Sequence, residues 1–240
     1  HPQIGLQTYT WMIEGTMMHT DSLGSKQLIR PKQVNLMTAG RGISHTEVAP
    51  DIETKMHAAQ LWIALPDDKR NMEPKFEHYP ELPVVSKDQV EFTILVGDFL
   101  DMVSPVQVHT PLVGVDLTAQ ANRTTRIPLN PKFEYAFIAL EGVAHVNGYE
   151  LNADNMVILE TGLTEIEVEL TEGHRVLLIG GEPFESPILL WWNFVGRTMQ
   201  DLQQAREDWI NHDARFGEIP DYQGKRLEAP VLPEQMRASK

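Results

Sequence analysis

The N-terminal part of the chain consists of short runs of β-branched and aromatic residues that are interrupted by turn residues every few positions. Such runs cover residues 6–13, 16–21, 27–30 and 34–40, and Gly15 ends the first of them. Each short strand must reverse direction and pair with a neighbour, which is typical of a barrel or a sandwich. The sequence therefore predicts an all-β fold.

The second half of the chain repeats the pattern of the first. Placing residues 1–15 over residues 128–142 superposes two strands that both end in Glu-Gly. Each is followed by a short hairpin, a corner and another apolar strand, so the succession indicates two duplicated barrels. We expect an N-terminal barrel over residues 1–115 and a C-terminal barrel over residues 116–240. Residues 67–83, with three prolines and a run of four charges, are expected to form a surface loop or a crossover.

Near the C-terminus the apolar residues change from alternation to helical spacing. Leu202, Ala205, Trp209 and Phe216 recur on or near one face of the segment that follows Thr198. This spacing predicts one short C-terminal helix. The proline-containing tail after it is expected to be extended and to pack on the barrel surface or on a neighbour.

Composition limits the classes of function. A net charge of −14 opposes direct binding of nucleic acid, which requires clustered Lys and Arg. The chain has no cysteine, which removes disulfides and thiolate ligands and fits a reducing cytoplasm. No apolar run approaches the ~20 residues that span a bilayer, so we expect a cytoplasmic protein with no membrane partner. The chain begins at His1 without methionine, and an upstream segment is expected.

Two pairs of polar residues have the spacing of side chains on one face of a strand. His45 and Glu47 follow the turn Gly40-Arg41-Gly42, and His1 and Gln3 have the same spacing. If the residues between the pairs fold into hairpins, the two pairs meet inside a barrel. Two imidazoles, an amide and a carboxylate could together hold a divalent transition metal, although this set is one imidazole short of a strong site.

Other chemistry is less well supported. The strand segment Glu165–Glu169 in the second half alternates charged and apolar residues, as on the solvent face of a strand, and the second half has no imidazole where the first has its pairs. The pair Trp191-Trp192 is expected to serve packing. No Ser-His-Asp order, glycine-rich phosphate loop or acid pair is recognisable. His109 is not readily assigned, and surface or structural positions are expected for His19, His57, His78, His145, His174 and His212.

The sequence resembles the pirin family, whose members are bicupins of two jelly-roll β-barrels, over nearly its whole length. The resemblance rests above all on Met37-Thr38-Ala39-Gly40-Arg41-Gly42-Ile43-Ser44-His45-Thr46-Glu47, with support from His1-Pro2, Glu14-Gly15, His19, Asp21-Ser22-Leu23-Gly24 and Gly180-Gly181-Glu182-Pro183. In pirins the N-terminal barrel binds iron through a His-Pro-His arm and a His-x-Glu arm. The resemblance thus implies Fe(2+) held by His1, Gln3, His45 and Glu47, with Ni, Cu, Zn, Mn or no metal as alternatives.

Gln3 departs from the family pattern, which has its second histidine at this position. A neutral amide oxygen is a poorer donor to iron, nickel or copper than imidazole, so we expect weaker metal binding or a preference for a harder ion. The substitution Gln3→His is expected to increase the metal affinity.

The resemblance implies two classes of function. In the first, the protein is a quercetinase-type dioxygenase for flavonol-like aromatic substrates, and Glu47 serves as ligand or catalytic base. In the second, it is a regulatory module without enzymatic activity that binds transcription regulators or metabolic enzymes. The negative charge favours a protein partner over DNA. The oligomeric state stays open.

Overall fold

A computed structural model describes residues 1–50 and 55–239, and within these the regular secondary structure is almost entirely strand. It forms two compact units, His1–Glu81 with Phe184–Lys240, and Leu82–Pro183. These are called unit 1 and unit 2 below. The all-β class with one short helix, predicted from the sequence, is confirmed.

Unit 1 begins with eight strands: β1 (Pro2–Gln3), β2 (Leu6–Glu14), β3 (Met17–Asp21), β4 (Lys26–Ile29), β5 (Val34–Thr38), β6 (Ile43–Val48), β7 (His57–Ala64) and β8 (Lys75–Tyr79). They form two four-stranded antiparallel sheets, ordered β1-β6-β3-β4 and β7-β2-β5-β8. Strand β2 lies between β5 and β7, and its first seven residues are all buried. The apolar and aromatic run that predicted this strand therefore forms a central strand of the unit.

Unit 2 contains twelve strands: β9 (Val84–Lys87), β10 (Val90–Val96), β11 (Asp98–Phe99), β12 (Met102–Val103), β13 (Leu112–Ala119), β14 (Arg123–Pro128), β15 (Glu134–Glu141), β16 (Ala144–Val146), β17 (Tyr149–Leu151), β18 (Met156–Leu159), β19 (Glu165–Leu170) and β20 (Arg175–Gly181). Its main sheets are ordered β18-β15-β20-β13-β10-β9 and β14-β19-β16-β17. Burial in β19 alternates without a break, because its glutamates face outward and Ile166, Val168 and Leu170 face the core.

The predicted repeat is confirmed by strand order. The order β14-β19-β16-β17 in unit 2 matches β1-β6-β3-β4 in unit 1, and the series β18-β15-β20 matches β5-β2-β7. Two barrels with the same succession of strands and the same pairing are therefore encoded in one chain.

The C-terminal part adds β21 (Leu189–Trp191), β22 (Phe194–Gly196), α1 (Met199–Ile210) and a 3-10 turn (Ala214–Phe216) to unit 1. Thr198 is the N-cap of α1, and its side chain and that of Asp201 form a capping box. The predicted apolar face is confirmed, since Leu202, Ala205 and Trp209 are buried against Phe194 and Phe216. The predicted packing role of the tryptophan pair is also confirmed, because Trp191 and Trp192 pack against the same cluster.

The boundary between the units differs from the one expected at residue 115. That position lies inside β13, which pairs with β10 on one side and β20 on the other, so a division there would cut a continuous sheet. The chain instead leaves unit 1 after Glu81 and returns to it at Phe184, which places the C-terminal helix in unit 1. The matching of the repeats could not reveal this return. Among the described residues, no helix is long and apolar enough to cross a membrane.

Candidate metal centre

The pairing of β1 with β6 brings the two predicted pairs of polar residues together. Gln3 lies opposite Ile43, and one step along the same face His1 lies opposite His45. The backbone N–H of His45 donates to the carbonyl oxygen of His1 at 3.1 Å, and the backbone nitrogen of His1 donates to the carbonyl oxygen of His45 at 3.1 Å. The two imidazole rings meet edge to face with centroids 4.4 Å apart.

Strand β3 pairs with the other side of β6 and adds a histidine to the same face. His19 lies opposite Glu47, and Asp21 lies opposite His45. One ligand atom from each of His19, His45 and Glu47 can be chosen so that all three lie within 4.8 Å of one another. His19, for which a surface or structural position was expected, is buried, and its side chain lies beside the candidate site.

His45 is the most unusual of these side chains. It is buried, and neither Nδ1 nor Nε2 has a hydrogen-bond partner among the described residues. Burial lowers the pKa of His45 to about 3, with further lowering by the charges of His19 and the amino group of His1. The imidazole is therefore neutral at pH 7, the form in which a histidine nitrogen binds a metal.

His19 is held in place by two neighbours. Its Nε2 lies 2.8 Å from Oδ2 of Asp21, and its ring stacks on Phe76 with centroids 4.2 Å apart. The other carboxylate oxygen of Asp21 accepts from the backbone N–H groups of Leu23 and Ser25. Burial acts to raise the pKa of Asp21, but the hydrogen bond and charge of His19 and the bonds from Ser25 outweigh it and leave the pKa below its usual value.

Glu47 is fixed on one side only. Nε2 of Gln60, on β7, donates to Oε2 of Glu47 at 2.8 Å and lies 3.1 Å from the hydroxyl of Thr10 on β2. Glu47 is half-buried, so its carboxylate is oriented by the second sheet but is not enclosed. One oxygen can thus be directed toward the histidines while the other is held by an amide.

Gln3 faces the same side of the sheet as His1 but is used differently. It is buried, and its amide oxygen accepts a hydrogen bond of 2.5 Å from the hydroxyl of Thr8. In the register of β6 it stands opposite Ile43, whereas Glu47 is four residues further along the strand. The amide oxygen of Gln3, a predicted ligand, is therefore already occupied by the hydroxyl of Thr8.

The glycines before β6 permit a close approach of neighbouring backbone. Gly40 has a φ of +52°, and a Cβ at this position would lie 2.1 Å from the carbonyl oxygen of Met72. A Cβ at Gly42 would lie 2.9 Å from the carbonyl oxygen of Arg215. The turn that leads His45 and Glu47 into the site therefore fits only without side chains at these positions.

The signal for His19 was present in the sequence. His19 and Asp21 have the same i, i+2 spacing as His45 and Glu47, and both pairs lie on strands that pair directly. The missing information was which strands pair, because spacing reveals a shared face but not the neighbour across it. In the described part of unit 2 no comparable group of three metal-ligating side chains occurs, and the glutamates of β19 are exposed.

Comparison with known proteins gives the same result as the strand order. The profile of the family named Pirin matches residues 1–63, and that of the Pirin C-terminal cupin domain matches residues 114–217. A "Pirin-like protein" of Caulobacter vibrioides is 35% identical over 87% of this chain and 74% of its own length. The chain belongs to the pirin family. Its two barrels are cupin barrels.

Two further relatives are more similar. A protein of Pseudomonas aeruginosa named "Putative quercetin 2,3-dioxygenase" is 46% identical over 97% of this pirin and 74% of its own chain. A crystal structure described as quercetin 2,3-dioxygenase from Acinetobacter baumannii is 80% identical, with a TM-score of 0.98, and covers all of this pirin and 80% of its own chain. The fold of this pirin is thus shared over its full described length.

The donors at the site fit a divalent transition metal. Neutral imidazoles and a carboxylate are the ligands that suit iron, nickel, copper and zinc. The orphaned nitrogens of His45 are the observation that decides the fit, because a buried polar group without a partner is unfavourable unless a ligand occupies it. The bond between the His19 ring and the Asp21 carboxylate is the outer hydrogen bond that metal-binding histidines usually make.

Proposed function

We propose that this pirin is a metal-dependent dioxygenase that acts on flavonol-like aromatic compounds. The observation that carries the proposal is the buried His45, whose two free ring nitrogens lie beside the His1 imidazole and the Glu47 carboxylate. The names of its similar relatives support the substrate class. The proposal includes a cytoplasmic location, in line with the absence of cysteine.

The proposed metal is Fe(2+), with nickel, copper, zinc and manganese as the ions to compare. His1, His45 and Glu47, with Gln3 as the fourth expected donor, would hold such an ion, which would supply a Lewis acid for negative charge on a substrate oxygen. His45 contributes a neutral nitrogen donor that needs no deprotonation. Glu47 supplies a carboxylate that offsets the charge of the ion.

Glu47 is the proposed catalytic residue. A flavonol reacts more readily with oxygen after its hydroxyl group has lost a proton, and Glu47 is the half-buried carboxylate of the site that can accept it. Gln60 holds Oε2 at 2.8 Å and so limits the rotation of the carboxylate. The other oxygen is then directed toward the site, where it can receive the proton or bind the metal.

The test combines metal analysis with oxygen consumption. Metal-stripped protein is reconstituted with each ion in turn, and oxygen uptake is measured with quercetin as the flavonol. We expect turnover with at least one ion, and Glu47→Gln should reduce it by about 100-fold or more, the usual contribution of a positioned base. Glu207→Gln, an exposed change on α1, is the control. No turnover with any ion would reject the proposal.

A second candidate function is a regulatory module that binds another protein. The observation that favours it is Gln3, an amide already bonded to Thr8 where the family pattern has an imidazole, which reduces the number of strong donors. We expect a stoichiometric partner in a pull-down from the native cytosol if this function holds. Recovery of the pirin alone, together with flavonol turnover, would exclude it.

A further inference from the structure

Two residues, Gln3 and His19, could supply the fourth ligand of the metal. They lie on opposite sides of His45 along β6. Along β6, Ile43 stands opposite Gln3, His45 stands opposite His1, and Glu47 stands opposite His19. Residues that alternate on one strand face are about 6.6–7 Å apart. At the backbone level Glu47 is therefore adjacent to His19 and two steps away from Gln3.

We propose that His19 is a ligand of the metal in this pirin and supplies the imidazole that position 3 lacks. The ligand set is then His1, His19, His45 and Glu47. This inference rests on the metal site of the proposed function, but it does not depend on the substrate or on turnover.

The first support is the mutual distance of the donors. Ligand atoms of His19, His45 and Glu47 all lie within 4.8 Å of one another without any rearrangement. Ligands around one transition ion with bonds of about 2.0–2.2 Å are separated by about 3–4 Å, so small side-chain rotations are sufficient. The ring centroids of His19 and His45 are 5.6 Å apart, which leaves room for an ion between the two imidazoles.

The second support is the fixation of the His19 ring. Asp21 is fully buried and occupies Nε2 of His19 at 2.8 Å, which leaves Nδ1 for the ion. A metal-binding histidine commonly donates its other ring N–H to a carboxylate, which fixes the tautomer and strengthens the donor. The stacking on Phe76 holds the ring plane, so Asp21 and Phe76 are positioning residues.

The third support is the state of Gln3. Its amide oxygen accepts a short hydrogen bond of 2.5 Å from the hydroxyl of Thr8. Binding of an ion by this oxygen would weaken that bond. An amide oxygen is also a poorer donor to iron or nickel than an imidazole nitrogen. Where both are available, the imidazole is therefore preferred.

The experiment is a calorimetric titration of the metal-stripped chain with Ni²⁺. Three variants are compared with the wild type: His19→Gln, which keeps an amide donor for Asp21, Asp21→Asn, and Gln3→Met, which removes the amide that competes with His19 as the fourth donor. We expect His19→Gln to weaken Ni²⁺ binding by more than about 100-fold and Asp21→Asn by about 10–100-fold, as for an outer partner. Gln3→Met should change the affinity by less than about threefold.

A second measurement needs no variant and covers the case in which His19→Gln does not fold. The wild-type chain with ¹⁵N-labelled histidine is titrated with Zn²⁺, and the ring-nitrogen resonances are followed by NMR. We expect three coordinated imidazoles, one of which binds through Nδ1 and keeps a protonated Nε2. Two coordinated imidazoles would reject His19 as a ligand.

The outcomes separate this inference from the proposed function. Loss of Ni²⁺ affinity in Gln3→Met with full affinity in His19→Gln would overturn the inference and leave the dioxygenase proposal standing. Metal binding that depends on His19, but without flavonol turnover by any reconstituted form, would support the inference and reject the dioxygenase. A wild-type chain that binds neither Ni²⁺ nor Zn²⁺ would overturn the inference.

Discussion

His45 shows at the level of one residue how the site conflicts with stability. Its imidazole is buried with two unpartnered nitrogens, and a buried polar atom without a partner costs about 1–3 kcal/mol. A side chain selected for stability alone would be apolar at this position. The cost is removed when a ligand occupies the nitrogens, so the residue is suited to a bound ion and unfavourable without one.

We predict that His45→Leu abolishes metal binding and stabilises the metal-free protein. Leucine has a similar size and no polar atoms, so the free energy of unfolding without metal should rise by about 1 kcal/mol. Urea unfolding of chelator-treated protein measures the change. The control is His78→Leu, because Nδ1 of His78 lies 2.7 Å from Oδ1 of Asn35 and its loss leaves a polar group without that partner. Equal destabilisation by both substitutions would contradict the prediction.

At the level of elements, the turn between β5 and β6 determines the position of the site. Gly40 lies in the left-handed region, and a Cβ there would overlap the carbonyl oxygen of Met72 at 2.1 Å.

We predict that Gly40→Ala costs more than about 2 kcal/mol of stability and weakens Ni²⁺ binding, because β6 must shift. Gly24→Ala is the matched control, with a φ of +88° but open space around it, and should cost about 1 kcal/mol with unchanged affinity.

The start of α1 is stabilised by Asp201. Its Oδ2 accepts from the backbone N–H groups of Arg197 and Thr198 at 2.8 and 2.9 Å and lies 3.3 Å from Nη1 of Arg70. Burial acts to raise the pKa of Asp201, but these hydrogen bonds and the charge of Arg70 outweigh it and hold the pKa below the usual value. The carboxylate therefore stabilises the folded state above its unfolded pKa, and this stability is lost as the pH falls through the folded pKa.

We predict that Asp201→Asn destabilises the protein by about 1 kcal/mol at pH 7, as for the loss of a helix cap. The difference from the wild type should shrink as the pH falls below the unfolded pKa of about 3.9 and disappear below the lower folded pKa, where the wild-type carboxyl is protonated in both states. Urea unfolding at a series of pH values from 7 to 3 measures it. Asp154→Asn, on an exposed turn, controls for the change in net charge. A difference that stays constant over this range would contradict the assigned role of the carboxylate.

The elements show what the sequence could predict. Apolar and β-branched runs located β2, β3, β4 and β5, and the helical spacing of Leu202, Ala205 and Trp209 located α1, because these patterns are local in the sequence. Strand β8 lies within residues 67–83, which were expected to form a surface loop or a crossover because of their three prolines and their run of charges. Local patterns fail where pairing is decided by distant residues.

The candidate site shows the same limit. His1, Gln3, His45 and Glu47 were predicted to share a face because i, i+2 spacing is local, and the register of β1 with β6 places them on one face. His19 was missed because its place depends on the pairing of β3 with β6, which no spacing within β3 reveals. Long-range register was thus the information that the sequence did not provide.

At the level of the whole molecule, the two units share one strand order but differ in chemistry. The repeat could be predicted because the same succession of strands and turns occurs twice in the sequence. The return of the chain to unit 1 at Phe184 produces no such sequence pattern. In the described part of unit 2, the strand that corresponds to β6 presents glutamates to solvent where β6 presents His45 to the site. We therefore expect metal binding to act on one unit.

Metal binding is expected to protect only one of the two units from hydrogen exchange. A ligand that binds only the folded state stabilises it by about 2.7 kcal/mol at a free concentration of 100 times its Kd, and a metal held by β1, β3 and β6 should give this gain to unit 1. Hydrogen exchange measured by mass spectrometry should slow with Ni²⁺ in peptides from residues 1–50 and 184–239, and it should stay unchanged in peptides from residues 82–183. The variant His45→Leu should show no Ni²⁺ effect in either unit. Equal protection of both units would contradict the prediction, because it would mean that they open together and that the ion stabilises the chain as one cooperative body.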